Sequence, residues 1–216
     1  MLEVRGICKS YGGRQVLSPV SFQMEAGEGL GVAGPNGSGK STLLTLLAQV
    51  RSPDGGEILF QGRSILGKRK FLRRRLGYVP QTNQLFAELT VGQQLRLWQA
   101  ACGLDGPLPE EPVERMGLGP LLSRPIRQLS DGTCRRVSIA MALLTRPEIL
   151  VMDEATSGLD QTYVRELLDW MEAFTRRGGY LVWCTHRPLE LEKLCSRCLC
   201  LEEGRAWWQP VSHEKE

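Results

Sequence analysis

Three stretches of the sequence predict an α/β fold with a phosphate site at the carboxyl ends of parallel strands. In the first, the short apolar run at residues 30–33 leads into Gly34-Pro35-Asn36-Gly37-Ser38-Gly39-Lys40-Ser41-Thr42 and then into the mostly apolar Leu43-Leu44-Thr45-Leu46-Leu47. In the second, Pro147-Glu148-Ile149-Leu150-Val151-Met152-Asp153-Glu154, four consecutive apolar residues end in two carboxylates. The third is Tyr180-Leu181-Val182-Trp183-Cys184, followed by Thr185-His186. Short apolar runs bounded by turn residues read as buried parallel strands. Ligand chemistry in open α/β sheets gathers outside the carboxyl ends of such strands.

The remaining elements follow in chain order. Residues 2–29 hold short β-prone pieces broken by Gly12-Gly13 and Gly27, and Gly56-Glu57-Ile58-Leu59-Phe60-Gln61-Gly62 adds another. Residues 34–41 fit G-x-x-x-x-G-K-[ST], in the strand, loop and helix order that a P-loop requires. A loop with little side-chain bulk turns its N–H groups inward around phosphate oxygens, and the following helix points its positive end at them. Lys40 then offers a point charge to the β- and γ-phosphates, and the Ser41 hydroxyl a ligand for Mg²⁺. The basic run Lys68-Arg69-Lys70-Phe71-Leu72-Arg73-Arg74-Arg75 reads as a solvated helix face, or as a docking surface for an acidic partner or lipid headgroups. A helical pattern covers residues 91–102 and a weaker one starts at Val113, interrupted by Gly117 and Gly119, with a Pro/Gly-rich link at 103–112 between them.

Ser130 is a good N-cap for a helix whose apolar surface is Val137, Ile139, Ala140, Met141, Leu143 and Leu144. Adjacent strand residues point to opposite sides, so one of the two carboxylates Asp153 and Glu154 is expected to reach a metal while the other faces an attacking water. Between residues 160 and 177, Val164, Leu167, Leu168, Met171 and Phe174 keep helical spacing, and Gly178-Gly179 supplies the stop. Cys195, Cys198 and Cys200 lack a second Cys or His pair at ligand spacing, which disfavours zinc. Trp207-Trp208 either cap the fold or meet a partner.

Composition narrows the classes. The chain has 216 residues, 42% hydrophobic and 24% charged, which disfavours disorder, collagen-like fibres and solenoids. A net charge of +3 does not make nucleic acid a default partner. No run approaches the roughly 18–20 apolar residues of a membrane helix. Met1-Leu2-Glu3-Val4-Arg5 lacks the layout of a signal peptide, so the seven cysteines are expected to stay reduced in cytosol. The only asparagines, Asn36 and Asn83, are not followed by lysine, which leaves no guanine-reading Asn-Lys-x-Asp element.

These motifs together resemble the nucleotide-binding domain of ATP-binding cassette (ABC) proteins over nearly the whole chain. Tyr11 resembles the aromatic residue that stacks on adenine, 34–42 the Walker A loop, and Gln81 in Tyr78-Val79-Pro80-Gln81 the Q-loop. Leu129-Ser130-Asp131-Gly132-Thr133 stands where the signature LSGGQ is expected. Residues 149–154 are similar to Walker B, Ser157-Gly158-Leu159-Asp160 to the D-loop, and Cys184-Thr185-His186 ends in a switch-type histidine. The other histidine, His213, lies almost at the C-terminus. Read alone, Tyr11 beside Gly12-Gly13 equally marks a turn.

The resemblance implies a single ABC ATPase domain over 1–216: a P-loop NTPase core, an N-terminal antiparallel β subdomain, and an inserted helical subdomain at about 82–145. It implies ATP and Mg²⁺ as cofactors, with Asp153, Ser41 and Gln81 at the metal. Glu154 would polarise the attacking water and His186 would contact the γ-phosphate, with Gln81 and Lys40 completing the catalytic set. Tyr11, Gly34, Pro35, Asn36, Gly37, Ser38, Gly39, Lys40, Ser41 and Thr42 would bind nucleotide, and Ser130 and Gly132 would reach the nucleotide of a second subunit. With one Walker A loop and one signature, the chain must pair with a second such domain, homo- or heterodimeric, and with separate transmembrane permease subunits. The expected place is the cytoplasmic face of a membrane. The expected direction is export, because the region from Leu89-Thr90-Val91 through the signature resembles exporters whose ATPase is a separate small chain, and the 30 residues after His186 argue against importers that append a regulatory domain. A soluble ABC ATPase, such as an iron-sulfur assembly factor, is the alternative. Asp131 replaces the first signature glycine and Thr133 the glutamine. Asp131 is expected to point away from the phosphate and to leave hydrolysis in place.

Overall fold

The computed structural model describes residues 1–211, apart from the side chain of Arg69; His213 lies outside the described residues. Among the described residues ten strands form: β1 (Leu2–Tyr11), β2 (Arg14–Met24), β3 (Gly29–Ala33), β4 (Gly55–Phe60), β5 (Arg63–Ser64), β6 (Leu76–Val79), β7 (Ile149–Asp153), β8 (Tyr180–Cys184), β9 (Arg197–Glu202) and β10 (Arg205–Pro210). The helices are α1 (Lys40–Leu47), α2 (Arg69–Arg75), α3 (Val91–Ala101), α4 (Glu110–Arg115), α5 (Asp131–Leu143), α6 (Gln161–Arg176) and α7 (Pro188–Leu194).

The strands sort into two sheets. One is antiparallel, in the order β2-β1-β4-β5, built from the β-prone N-terminal pieces in the arrangement that the resemblance implies. The other runs β10-β9-β3-β8-β7-β6 and is parallel except for β10 at its edge. Its inner strands are the apolar runs of the sequence, and β7 and β8 are buried at every position. Alternation along them sends side chains to two cores. Leu150, Met152, Leu181 and Trp183 join α5 and α6 on one side. Ile149, Val151, Tyr180, Val182 and Cys184 join α1 and the antiparallel sheet on the other. Register aligns Val79 with Met152, Met152 with Trp183, and Gly31 with Trp183. The carboxyl ends of β3, β8, β7 and β6 therefore lie side by side.

Between β6 and β7 the chain builds α3, α4 and α5, whose Val91, Leu95, Val113, Val137 and Ile139 share a core with the sheet face. Thr90 opens α3 with a capping box completed by Gln93. The link before α4 is shorter than its composition implies, because α4 begins at Glu110 and takes Pro112 into its first turn. N–H groups there have no intrahelical partner, so a proline is tolerated. The basic run forms α2, where Arg75 pairs with Glu148 at 3.1 Å and Arg74 Nη2 donates to Gly103 O at 2.9 Å. All seven cysteines are free thiols, and Cys195, Cys198 and Cys200 are buried. Trp208 packs edge-on to Phe22 at 6.5 Å under Arg197, fastening β10 to β2.

Candidate functional site

The glycine-rich loop leaves β3 at Ala33 and enters α1 at Lys40. Gly34 sits at φ 141°, and a Cβ there would come within 2.1 Å of the Leu201 carbonyl oxygen, so no side chain fits. Lys40 is 8% exposed, and its Nζ donates to Gly34 O at 2.7 Å and Pro35 O at 2.9 Å, which draws the ammonium into the loop. Asn36, Gly37, Gly39, Lys40, Ser41 and Thr42 line one side of a cleft of about 340 Å³. Gln81, Asp153, Glu154 and His186 line the other, each from the end of a neighbouring parallel strand. Val16 of β2 also reaches it.

Asp153 ends β7, 2% exposed, and its Oδ2 has no hydrogen-bond partner. Glu154 departs from the expected alternation. Its φ is 51°, a left-handed conformation that ends the strand, so both carboxylates line the same cleft rather than opposite sides. Non-glycine residues hold such a conformation only where the surroundings over-determine it. Glu154 N donates to Cys184 O at 2.9 Å, and Glu154 Oε1 lies 3.3 Å from His186 Nε2 without hydrogen-bond alignment. Burial pushes the Glu154 carboxyl above the usual range; His186 works against that, and Asp153 and Glu190 add to it. The third buried, unpartnered polar atom around the loop is Ser38 Oγ.

The signature residues stand apart from this cleft. Ser130 caps α5, its Oγ accepting from Thr133 N at 3.2 Å. Gly132 is pressed against the D-loop of its own chain: a Cβ there would lie 2.3 Å from Gly158 O. Asp160 caps α6, accepting from Thr162 N and Tyr163 N. Tyr11, at the end of β1, is 37% exposed and does not line the cleft; Arg51 Cζ lies 5.2 Å and Lys9 Nζ 5.7 Å from its ring centroid.

Two buried charges that bond to the segment around Glu154 were missed by sequence reasoning. Glu190 on α7 is 3% exposed and accepts from Thr156 Oγ1 at 2.7 Å and Trp183 Nε1 at 3.2 Å, joining the loop after Glu154 to the segment after His186. Arg135 on α5 is 2% exposed and donates to the backbone on both sides of the cleft wall. The available signal was register: Arg135 shares a face with Ile139 and Ala142, and Glu190 with Leu194.

The ABC transporter family model matches residues 17–157. The chain is similar to the Nod factor export ATP-binding protein I of Rhizobium etli, 32% identical over 217 residues that cover 99% of this chain and 69% of that protein. Among solved structures it resembles an ATP-binding subunit of an ABC transporter, with a TM-score of 0.88 and 29% identity over 98% of this chain and 90% of that one. It also shares the fold of a dimeric ATP-binding cassette in a post-hydrolysis state bound to ADP and Pi, with a TM-score of 0.87 and 24% identity over 98% of this chain and 99% of that one.

Proposed function

The chain belongs to the ABC transporter family, as an ATP-binding subunit and an ATPase, and on that premise we propose that it drives export through membrane-spanning partner chains. The observation that carries the site assignment is the meeting of Lys40, Asp153, Glu154 and His186 in one cleft, where Asp153 Oδ2 and Glu154 Oε1 are buried without partners. Buried polar atoms are nearly always paired, and exceptions point to a ligand or a catalytic role.

In this reading the N–H groups of Gly34 to Thr42 cradle the phosphates of ATP, and Lys40 exchanges its two carbonyl bonds for phosphate oxygens. Glu154 polarises the attacking water. A carboxyl held above its usual range is a stronger base than an exposed one, which suits that task. His186, with Nε2 3.3 Å from Glu154 Oε1, stands beside the carboxylate, where the reading has it contact the γ-phosphate. Phosphoryl transfer asks mainly for positioning and charge stabilisation, and the four strand ends supply both. Tyr11 offers adenine a ring face, flanked by Arg51 and Lys9.

The residues also suit Mg²⁺. Among the described residues no group of three His, Cys, Asp or Glu holds a metal on its own. Magnesium uses one or two carboxylates and takes its other oxygens from water and substrate phosphates. Asp153 Oδ2, lacking any partner, with Ser41 Oγ and the Gln81 amide oxygen, forms such an oxygen-only set. Held there by Asp153, Ser41 and Gln81, the ion would supply positive charge to offset that developing on the phosphate oxygens.

Ser130 and Gly132 point to a second subunit, since neither lines the chain's own cleft. The reading assigns them to the γ-phosphate of a partner domain, and treats 82–145 as a helical subdomain within a single ABC domain. For the membrane partner, an apolar groove of about 890 Å³ runs between α2, α3 and the segment after Gln81. Phe86, Leu97 and Trp98 on its rim are 61%, 49% and 41% exposed, an apolar surface of the kind that marks an interface. Pro80 and Asn83 line the same groove, so an apolar segment of a membrane subunit seated there touches the backbone that carries Gln81. No helix among the described residues is long and apolar enough to cross a membrane, and the reading places the chain peripherally on the cytoplasmic face. Export follows the name of the Rhizobium etli relative.

The test is Glu154→Gln. Removing a positioned base costs about 10²–10⁴-fold, so steady-state hydrolysis should fall by about that factor while ATP still binds and an ATP-bound dimer accumulates in sizing experiments. Hydrolysis at the original rate would reject the role of Glu154.

A further inference from the structure

α5 is buried at every position from Val137 to Leu143, yet one turn inside its N-terminus it also buries Arg135. A guanidinium stays charged in proteins, so burying it is costly unless its donors are met. Here they are. Arg135 Nε donates to Ala155 O at 3.1 Å, and Nη2 donates to Asp153 O at 2.5 Å and Glu154 O at 2.6 Å. Nη1 donates to Pro80 O, and at longer range to Gln81 O at 3.3 Å and Asn83 Oδ1 at 3.4 Å. One planar fork thus holds two peptide runs, 153–155 and 80–83, to the helix that Ser130 caps.

The first run contains the strained residue. Glu154 at φ 51° has its N–H held by Cys184 O and its C=O held by Arg135 Nη2. A left-handed glutamate persists only when its neighbours fix it, and among the described residues Arg135 alone donates side-chain hydrogen bonds to three consecutive carbonyls of this run. We infer that Arg135 is a positioning residue for Glu154: it fixes the 153–155 backbone so that the Glu154 carboxylate stays aimed into the cleft, and it makes that aim depend on where the 80–83 run and α5 stand. A shift of the Gln81 segment, or of the signature end of α5, then reaches Glu154 through backbone carbonyls. The inference rests on the reading of Glu154 as the group that polarises water.

The experiment measures steady-state ATPase rates of the full chain carrying Arg135→Gln or Arg135→Lys, each alone and combined with Glu154→Gln. Affinity for a fluorescent ATP analogue and the melting temperature are followed in parallel. Arg135→Gln should lower kcat at least tenfold and leave nucleotide affinity within about twofold, because the 34–42 loop is untouched. Lysine keeps the charge but not the fork, so Arg135→Lys should stay at least threefold below the parent. Added to Glu154→Gln, neither substitution should lower the rate further, since each acts through a carboxylate already gone. Multiplicative losses in the double variants, full rescue by lysine, or a parallel loss of nucleotide affinity would overturn the inference. If the glutamine variant does not fold, the lysine variant and its double carry the same test. Full activity of Glu154→Gln alone would remove the reading beneath the inference and the inference with it. Loss in Glu154→Gln with none in either Arg135 variant would remove the inference only.

Discussion

The strand-end cleft and the signature end of α5 are both assigned to phosphate, and they treat their own polar atoms in opposite ways. In the cleft Asp153 Oδ2 and Glu154 Oε1, and in the glycine-rich loop beside it Ser38 Oγ, are buried with no hydrogen-bond partner. At the signature, Ser130 Oγ accepts from Thr133 N at 3.2 Å and meets Thr133 Oγ1 at 2.9 Å, and that oxygen also takes Arg136 Nη2 at 3.2 Å. Unmet buried polar atoms subtract from stability, and met ones contribute. The cleft is therefore a region where binding groups are kept at the expense of the fold. The signature end is a structural joint as well, and substitutions there should register in stability before they register in chemistry.

The sharpest way to break this comparison is Gly132→Ala. The new methyl would stand 2.3 Å from Gly158 O, a backbone atom with no rotamer to yield. Overpacking of this kind costs about 1–3 kcal/mol, offset by at most about 1 kcal/mol from alanine's better helix propensity. Thermal or urea unfolding of the ligand-free chain should show the net loss, with reduced ATPase activity as the D-loop shifts. An unchanged unfolding midpoint would mean that the signature end is not a joint.

Ser38→Ala probes the opposite side with a smaller effect of opposite sign. Ser38 is 3% exposed and its hydroxyl is unpartnered. Deleting an unsatisfied buried hydroxyl should raise stability by about 1 kcal/mol, while affinity for ATP falls because the loop loses a polar contact. A variant that is less stable without nucleotide would contradict the contrast between the two regions.

The same contrast explains what was legible in the sequence. Lys40, Ser41, Asp153, Glu154 and His186 stand in short motifs because their positions follow from strand-to-loop spacing, which sequence displays directly. The apolar runs that became β7 and β8 were legible for the same reason. Alternation failed at Glu154 because a left-handed residue resets the direction of the chain, and nothing in the side-chain pattern announces it. Arg135 and Glu190 were hidden for a different reason. A charged residue in a short helical pattern reads as a solvated position, and only the packing of α5 and α7 against the sheet turns these two inward. Asp160 carries a second role, as the cap of α6, that its D-loop position did not suggest.

The smallest effect is expected at Asp131, the signature's departure from its family pattern. Asp131 is exposed in the first turn of α5, next to the Ser130 cap. There a carboxylate contributes about 0.3–1 kcal/mol through the helix dipole, so Asp131→Gly should lower stability by roughly that amount. Toward a phosphate on a partner subunit the same charge is repulsive, but an exposed charge acts through water and is screened within about 8–10 Å at ordinary salt. The net expectation for Asp131→Gly is a rise in ATPase rate of less than about threefold, present at low ionic strength and gone at high. A tenfold or larger gain that survives high salt would mean that the carboxylate faces the phosphate directly. The signature end would then impair catalysis as well as serve as a joint, and its self-satisfied hydrogen bonds would mark a half-site held back from its substrate.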